Sequence, residues 1–167
     1  MMDRVVDLIV PVKRLDRAKS RLRGVVDEHA ELVLALLLDT VTAAAGTPDV
    51  RRVLVVCEDQ RVVDALRNTG LDCVDKRGLP GLNPALQFGA DLLRETDPLS
   101  VVGALQADLP ALRSQELADA LAEADGHRAF CADRQGTGSG CEDTDLDDLR
   151  QGGHENITHG QVLSMER

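Results

Sequence analysis

Residues 5–22 read VVDLIVPVKRLDRAKSRL, and the rest of the chain is read outward from this stretch. Its first six residues are an apolar, β-branched run of the kind found in strands covered on both faces in a parallel sheet. Pro11 follows, and then Lys13, Arg14, Arg17, Lys19 and Arg21, with Asp16 as the only acid among them. Residues 1–23 hold seven Lys/Arg against three Asp/Glu, a balance of +4, while the whole chain of 167 residues is −10. A cationic loop directly after the first strand of an acidic protein suits a small, highly charged anion. Lys13, Arg17 and Arg21 recur every fourth residue and would share one face of a helical turn. The alternative is a solvated basic loop, the ordinary fate of a charge run. The stretch lacks the glycines of a Walker or dinucleotide loop, so side chains rather than backbone amides would have to hold a phosphate.

Beyond it, apolar runs alternate with helix-period segments. Asp27 can cap a helix over residues 28–45, with Leu32, Leu36, Val33 and Leu37 at i, i+4 spacing as an apolar face and Gly46 as its stop. Residues 50–56 (VRRVLVV) predict a second strand, 59–68 a short helix closed by Gly70, and 71–74 a third strand. Asn83 at the N-cap and Pro84 at the first helical position predict a helix to about Arg94. Residues 100–105 (SVVGAL) predict a strand, Ser114 a cap for a helix over 115–124, and 129–132 a further strand. Strands alternating with helices at these lengths predict a three-layer α/β/α sandwich with a mainly parallel sheet, in one domain over residues 1–167, with 150–167 as a frayed tail.

Composition narrows the function classes. The acidic balance argues against nucleic acid or an anionic membrane as partner, and Phe88 and Phe130 alone make no stacking platform. No apolar run reaches membrane-spanning length and no signal peptide precedes the first strand, so a cytoplasmic location is the expectation. Cys57, Cys73, Cys131 and Cys141 form no C-x-x-C pair and read as free thiols beside apolar runs rather than as a zinc site. His154 and His159 read as surface histidines of the polar tail.

Two acidic features could carry chemistry. Asp108 leaves the tip of an apolar strand in Leu-Gln-Ala-Asp-Leu-Pro, where ligands of open α/β sheets collect. A carboxylate there suits Mg²⁺, which takes one or two carboxylates plus substrate phosphates; a turn Asp before Pro110 is the plainer reading. The second is the cluster Glu142, Asp143, Asp145, Asp147 and Asp148, weak alone because acidic runs are usually solvated. Two carboxylates for a metal and cations for a triphosphate are what nucleotidyl transfer needs, with no protein nucleophile.

The segment PVKRLDRAKSRL at 11–22 resembles the P-V-K-x-L-x-x-A-K-S-R-L signature of the 2-phospho-L-lactate / phosphoenolpyruvate guanylyltransferases of coenzyme F420 biosynthesis. Gly81-Leu-Asn83, Ala107-Asp-Leu-Pro110 and ADRQGTG at 132–138 resemble three further motifs of that family, in order. The resemblance implies a nucleotidyltransferase fold of the glycosyltransferase-A type. It implies transfer of GMP from GTP to a three-carbon phospho-acid, phosphoenolpyruvate or 2-phospho-L-lactate, with Mg²⁺ and release of pyrophosphate. Carried over by residue, Lys13, Lys19 and Arg21 would hold the GTP phosphates, with Lys13, Lys19 and Asp108 as the catalytic set. Gly81, Leu82 and Asn83 would lie by the guanosine, Asp108 and Asp143 would ligate the metal, and Thr137 and Gly138 would contact the acid. Family members place several dozen residues, including an acceptor-binding loop, between G-T-G and the second metal Asp; here only Ser139 and Gly140 separate Gly138 from Cys141. The acceptor therefore stays open to 3-phosphoglycerate, a pterin or a sugar phosphate, as does a nucleotide-binding paralogue without activity. A homodimer is the candidate assembly.

Overall fold

The opening apolar run forms β1, Val6–Pro11, with Leu8, Ile9 and Val10 buried. It pairs in parallel with β2 (Val50–Cys57) on one side and with β4 (Val101–Ala104) on the other. β3 (Asp72–Asp75) extends the sheet beyond β2, giving the order β3-β2-β1-β4. The computed structural model describes residues 5–15, 26–75 and 78–124, and every strand pairing among them is parallel.

Helices cover both faces. On one, Leu8 and Val10 of β1 and Val53 and Val55 of β2 pack with α1 (Val26–Ala45), α2 (Gln60–Arg67) and α4 (Ser114–Ala124) through Leu37, Val41, Leu66, Leu117 and Leu121. On the other, Ile9, Leu54, Val56 and Val102 pack against Ala85, Leu86 and Leu93 of α3 (Leu82–Thr96). Strand alternation thus feeds two cores, and the predicted three-layer sandwich forms. Gly89 allows α3 to lie close on the sheet: a Cβ there would sit 2.9 Å from Ile9 Cγ2 and 3.2 Å from Val56 Cγ2.

Several local expectations are corrected. α1 starts at Val26, so Asp27 lies inside the helix rather than capping it. Its buried stripe is Ala30, Leu37, Val41 and Ala44, whereas Leu32 is 57% exposed. Leu32 is therefore turned away from the core, while Val33, Leu34 and Leu38 pack against it and Leu36 is half-buried, so the covered face is set by where the sheet lies. Asp59 is the N-cap of α2 rather than its first residue. Ser114 does not cap α4. Its hydroxyl donates to the Ala43 carbonyl of α1 at 2.7 Å, while Glu116 reaches back to the Arg113 backbone N–H at 3.1 Å. That is half of a capping box, displaced by one residue because Ser114 is taken by a tertiary contact. The expected strand at 129–132, the acidic cluster and the tail after 150 lie outside the described residues.

Candidate functional site

The strand order reverses at β1: the chain first winds outward to β2 and β3, then returns to place β4 on the far side of β1. Ligands of open α/β sheets collect in the crevice at such a switch point, here at the carboxyl ends of β1 and β4. The loop after β1 carries Lys13 and the loop after β4 carries Asp108, so these two residues belong to the segments that flank that crevice. Backbone bonds continue the pairing to its edge, from Leu105 N–H to Ile9 O and from Val12 N–H to Val56 O, both 2.9 Å.

The loop after β1 is held at both ends of its Lys13-Arg14 pair. Val12 and Leu15 are buried, while Lys13 and Arg14 point to solvent. Asp59, at the end of the neighbouring strand, accepts the Leu15 backbone N–H on Oδ2 and the Arg61 backbone N–H on Oδ1, each at 3.0 Å. The cations are thus presented on a short, pinned segment, which lowers the conformational entropy lost on meeting an anion. Asp59 is the positioning residue that the sequence reading missed. Its only signal was an Asp at the first position of the helix expected over 59–68, which points to no contact with the loop after β1.

The Asp108 loop is pinned in the same way. Thr40 of α1 donates its hydroxyl to the Leu36 carbonyl at 2.8 Å and accepts the Leu109 backbone N–H at 2.9 Å. Leu109 accepts the Leu112 N–H at 3.0 Å, closing the turn around Pro110. Asp108 itself is exposed and makes no hydrogen bond or ion pair with a described residue. An exposed carboxylate on a pinned loop, with no partner among the described residues, is of the chemical type that Mg²⁺ shares with phosphates. The described residues contain no group of three or more His, Cys, Asp or Glu that could hold a metal ion.

α3 runs antiparallel to the strands from the same edge. Gly81, at φ 87° and ψ 178°, is its N-cap with no side-chain cap, and Leu82 is the first helical residue. Only glycine adopts that backbone readily. The expected Asn83 cap is corrected accordingly: Asn83 is the second residue of the helix and exposed, and Pro84 is the third. Pro84 is tolerated because first-turn N–H groups have no intrahelical acceptor. The positive end of the helix dipole therefore faces the edge that carries Lys13 and Asp108. The structure brings Lys13, Asp108, Gly81, Leu82 and Asn83 to one end of the sheet. Lys19, Arg21, Thr137, Gly138 and Asp143 lie outside the described residues.

The opposite end of the sheet carries a polar network of another kind. Asp7, buried in β1, accepts from Arg51 Nε at 3.0 Å and from the Ser100 hydroxyl, and Arg51 also reaches Asp97 at 2.7 Å. The hydrogen bond from Arg51, with a second from the Leu99 backbone N–H, holds the Asp97 carboxyl below its ordinary range. Its bonds to Asp7 and then Asp97 keep Arg51 charged at any accessible pH. At the amino ends of the strands, far along the sheet from the crevice, this network ties β1, β2 and the start of β4 together.

The match to known proteins agrees with this geometry. The family model described as guanylyl transferase, CofC-like, matches residues 6–141. A Geodermatophilus obscurus protein named phosphoenolpyruvate guanylyltransferase is 46% identical over 144 residues, covering 81% of this chain and 65% of its own length. A Streptomyces coelicolor protein of the same name is 47% identical over 135 residues, covering 79% and 64%. The chain thus spans somewhat under two thirds of the length of these relatives. Among solved structures, a 4-diphosphocytidyl-2C-methyl-D-erythritol synthase superposes with a TM-score of 0.58 at 16% identity, covering 98% of this chain and 75% of the other. A CMP:2-keto-3-deoxy-manno-octonic acid synthetase complexed with CTP gives 0.53 at 17% identity, covering 76% and 50%. At such identities the likeness is one of fold, the nucleotidyltransferase fold of the glycosyltransferase-A type.

Proposed function

This chain belongs to the CofC-like guanylyl transferase family, and from that membership we propose that it moves GMP from GTP onto phosphoenolpyruvate, releasing pyrophosphate, as a step of coenzyme F420 biosynthesis. The observation that carries the reading is the strand-order switch point with Lys13 in one flanking loop and, in the other, an exposed Asp108 that has no partner among the described residues. The name shared by the relatives at 46% and 47% identity supports guanine as the base and phosphoenolpyruvate as the acceptor.

In this mechanism an oxygen of the acceptor phosphate attacks the GTP α-phosphorus in line, the new P–O bond forms, and the bond to the bridging α,β-oxygen breaks. Lys13, with Lys19 and Arg21, neutralises the triphosphate and the departing pyrophosphate. The first turn of α3 at Gly81, Leu82 and Asn83 receives the guanosine, and Thr137 with Gly138 orients the acid. Mg²⁺ held by Asp108 and Asp143 would add charge neutralisation at the phosphates. Asp59 and Thr40 keep the two flanking loops in place, so little reorganisation remains for the reacting complex.

The test is pyrophosphate release from GTP and Mg²⁺ with phosphoenolpyruvate, 2-phospho-L-lactate and 3-phosphoglycerate offered in turn. Phosphoenolpyruvate should give the highest kcat/KM. GTP binding without pyrophosphate release from any acceptor would replace the proposal with a nucleotide-binding role.

A further inference from the structure

Cys57 ends β2 and Cys73 lies in β3, one of the two edge strands among those described. The register pairs Val55 with Cys73, so Cys57 stands two residues beyond, on the same face of the sheet. The two Sγ atoms are 3.2 Å apart, and both thiols are free. A disulfide needs about 2.04 Å, so a further approach of roughly 1.2 Å would bond them. β3 is only four residues long and is hydrogen-bonded on one side, to β2, so its backbone is the element best able to move that far. The two thiols are unequal in access: Cys57 is fully buried, whereas Cys73 is half-buried.

We propose that Cys57 and Cys73 are an oxidation-sensitive modification site that joins β2 to β3 by a reversible disulfide, with a peroxide as the oxidant. Cys73 reacts first. Its thiolate attacks one peroxide oxygen, the O–O bond breaks, and with hydrogen peroxide the products are a sulfenic acid and water. The Cys57 sulfur then attacks the Cys73 sulfur, the S–O bond breaks, and the hydroxyl leaves as a second water with the Cys57 proton. Two thiols are oxidised by two electrons and one peroxide is reduced. The order follows from access, since only Cys73 is partly exposed, and is favoured by acidity: the contact between the two thiols holds the Cys73 value down and that of Cys57 up, with burial raising Cys57 further. A dithiol reductant reverses the bond by exchange. The cross-link is independent of guanylyl transfer and stands or falls separately from it.

Peptide mapping of the full chain tests this. The reduced protein is treated with hydrogen peroxide, alkylated and cut with trypsin, which releases residues 53–61 and 68–76 as two peptides with one cysteine each. The expected result is that these two peptides are recovered joined, in more than half of the chains, and separate again after dithiothreitol. Cys57→Ser should leave a sulfenic acid at Cys73 that a dione probe traps, while Cys73→Ser should leave Cys57 an intact thiol. Recovery of both cysteines alkylated or singly oxidised, or joined mainly to Cys131 or Cys141, would overturn the assignment.

Discussion

The carboxylate of Asp59 accepts the backbone N–H of Leu15 at 3.0 Å across 44 residues of sequence, and its other oxygen caps α2 through the Arg61 N–H. One side chain thereby sets both the start of a helix and the end of the pinned loop that presents Lys13 and Arg14. The start of the helix and the order of the loop are coupled at this residue.

Asp59→Ala removes a cap worth about 1 kcal/mol and a loop hydrogen bond of similar size, so unfolding should be easier by about 2 kcal/mol. GTP affinity should fall several-fold, since the loop must then be ordered on binding. Asp59→Asn keeps one acceptor oxygen and should fall between wild type and alanine. Urea unfolding with nucleotide titration checks both effects.

Asp108→Ala should behave in the opposite way. The side chain is exposed and unbonded among described residues, so stability should change by less than about 0.5 kcal/mol. Mg²⁺-dependent GTP binding measured by calorimetry should nevertheless be lost. Binding that persists unchanged would remove Asp108 from the metal site.

Gly89→Ala tests the close approach of α3. The added Cβ would meet Ile9 Cγ2 at 2.9 Å, and Ile9 is itself packed in the sheet and cannot swing aside. A loss of roughly 1–3 kcal/mol follows from overpacking, although alanine is the better helix former. A denaturant midpoint at or above wild type would show that α3 can shift outward.

The Arg51 network carries an acid sensitivity. Asp97 is held below its ordinary range by Arg51, so its stabilising contribution is complete above its unfolded value near pH 4 and is lost as pH falls through the folded value. Arg51→Ala should flatten this part of the acid limb. It should also cost on the order of 2 kcal/mol at neutral pH, because Asp7 keeps only Ser100 as partner; the exposure of Arg51 places the loss at the low end for a buried charge. Thermal melts from pH 3 to 7 on both proteins measure the difference.

Much of the fold was legible along the chain. The β-branched runs at 6–10 and 53–56 are buried on both faces and therefore read as strands without help from context. Asp108 could be placed at a strand tip because an apolar run ends in an acid and a proline. Helix starts were less legible. Ser114 and Asn83 are residues that cap helices, yet Ser114 is taken by Ala43 of another helix, and Gly81 starts α3 through a backbone angle that no side-chain pattern announces. Leu32 and Leu37 look alike in the sequence, and only the placement of the sheet decides which of them is buried.

The sequence by itself determined the alternation of strands and helices, the cationic run after the first strand and the acid after the fourth, because these rest on local apolar period and charge. The tertiary structure alone decided that β4 returns to the far side of β1, which places the segments bearing Lys13 and Asp108 on either side of one crevice. It alone joined Asp59 to Leu15 and brought Cys57 within 3.2 Å of Cys73. Those contacts depend on strand order and register, which arise from packing between residues far apart in the chain.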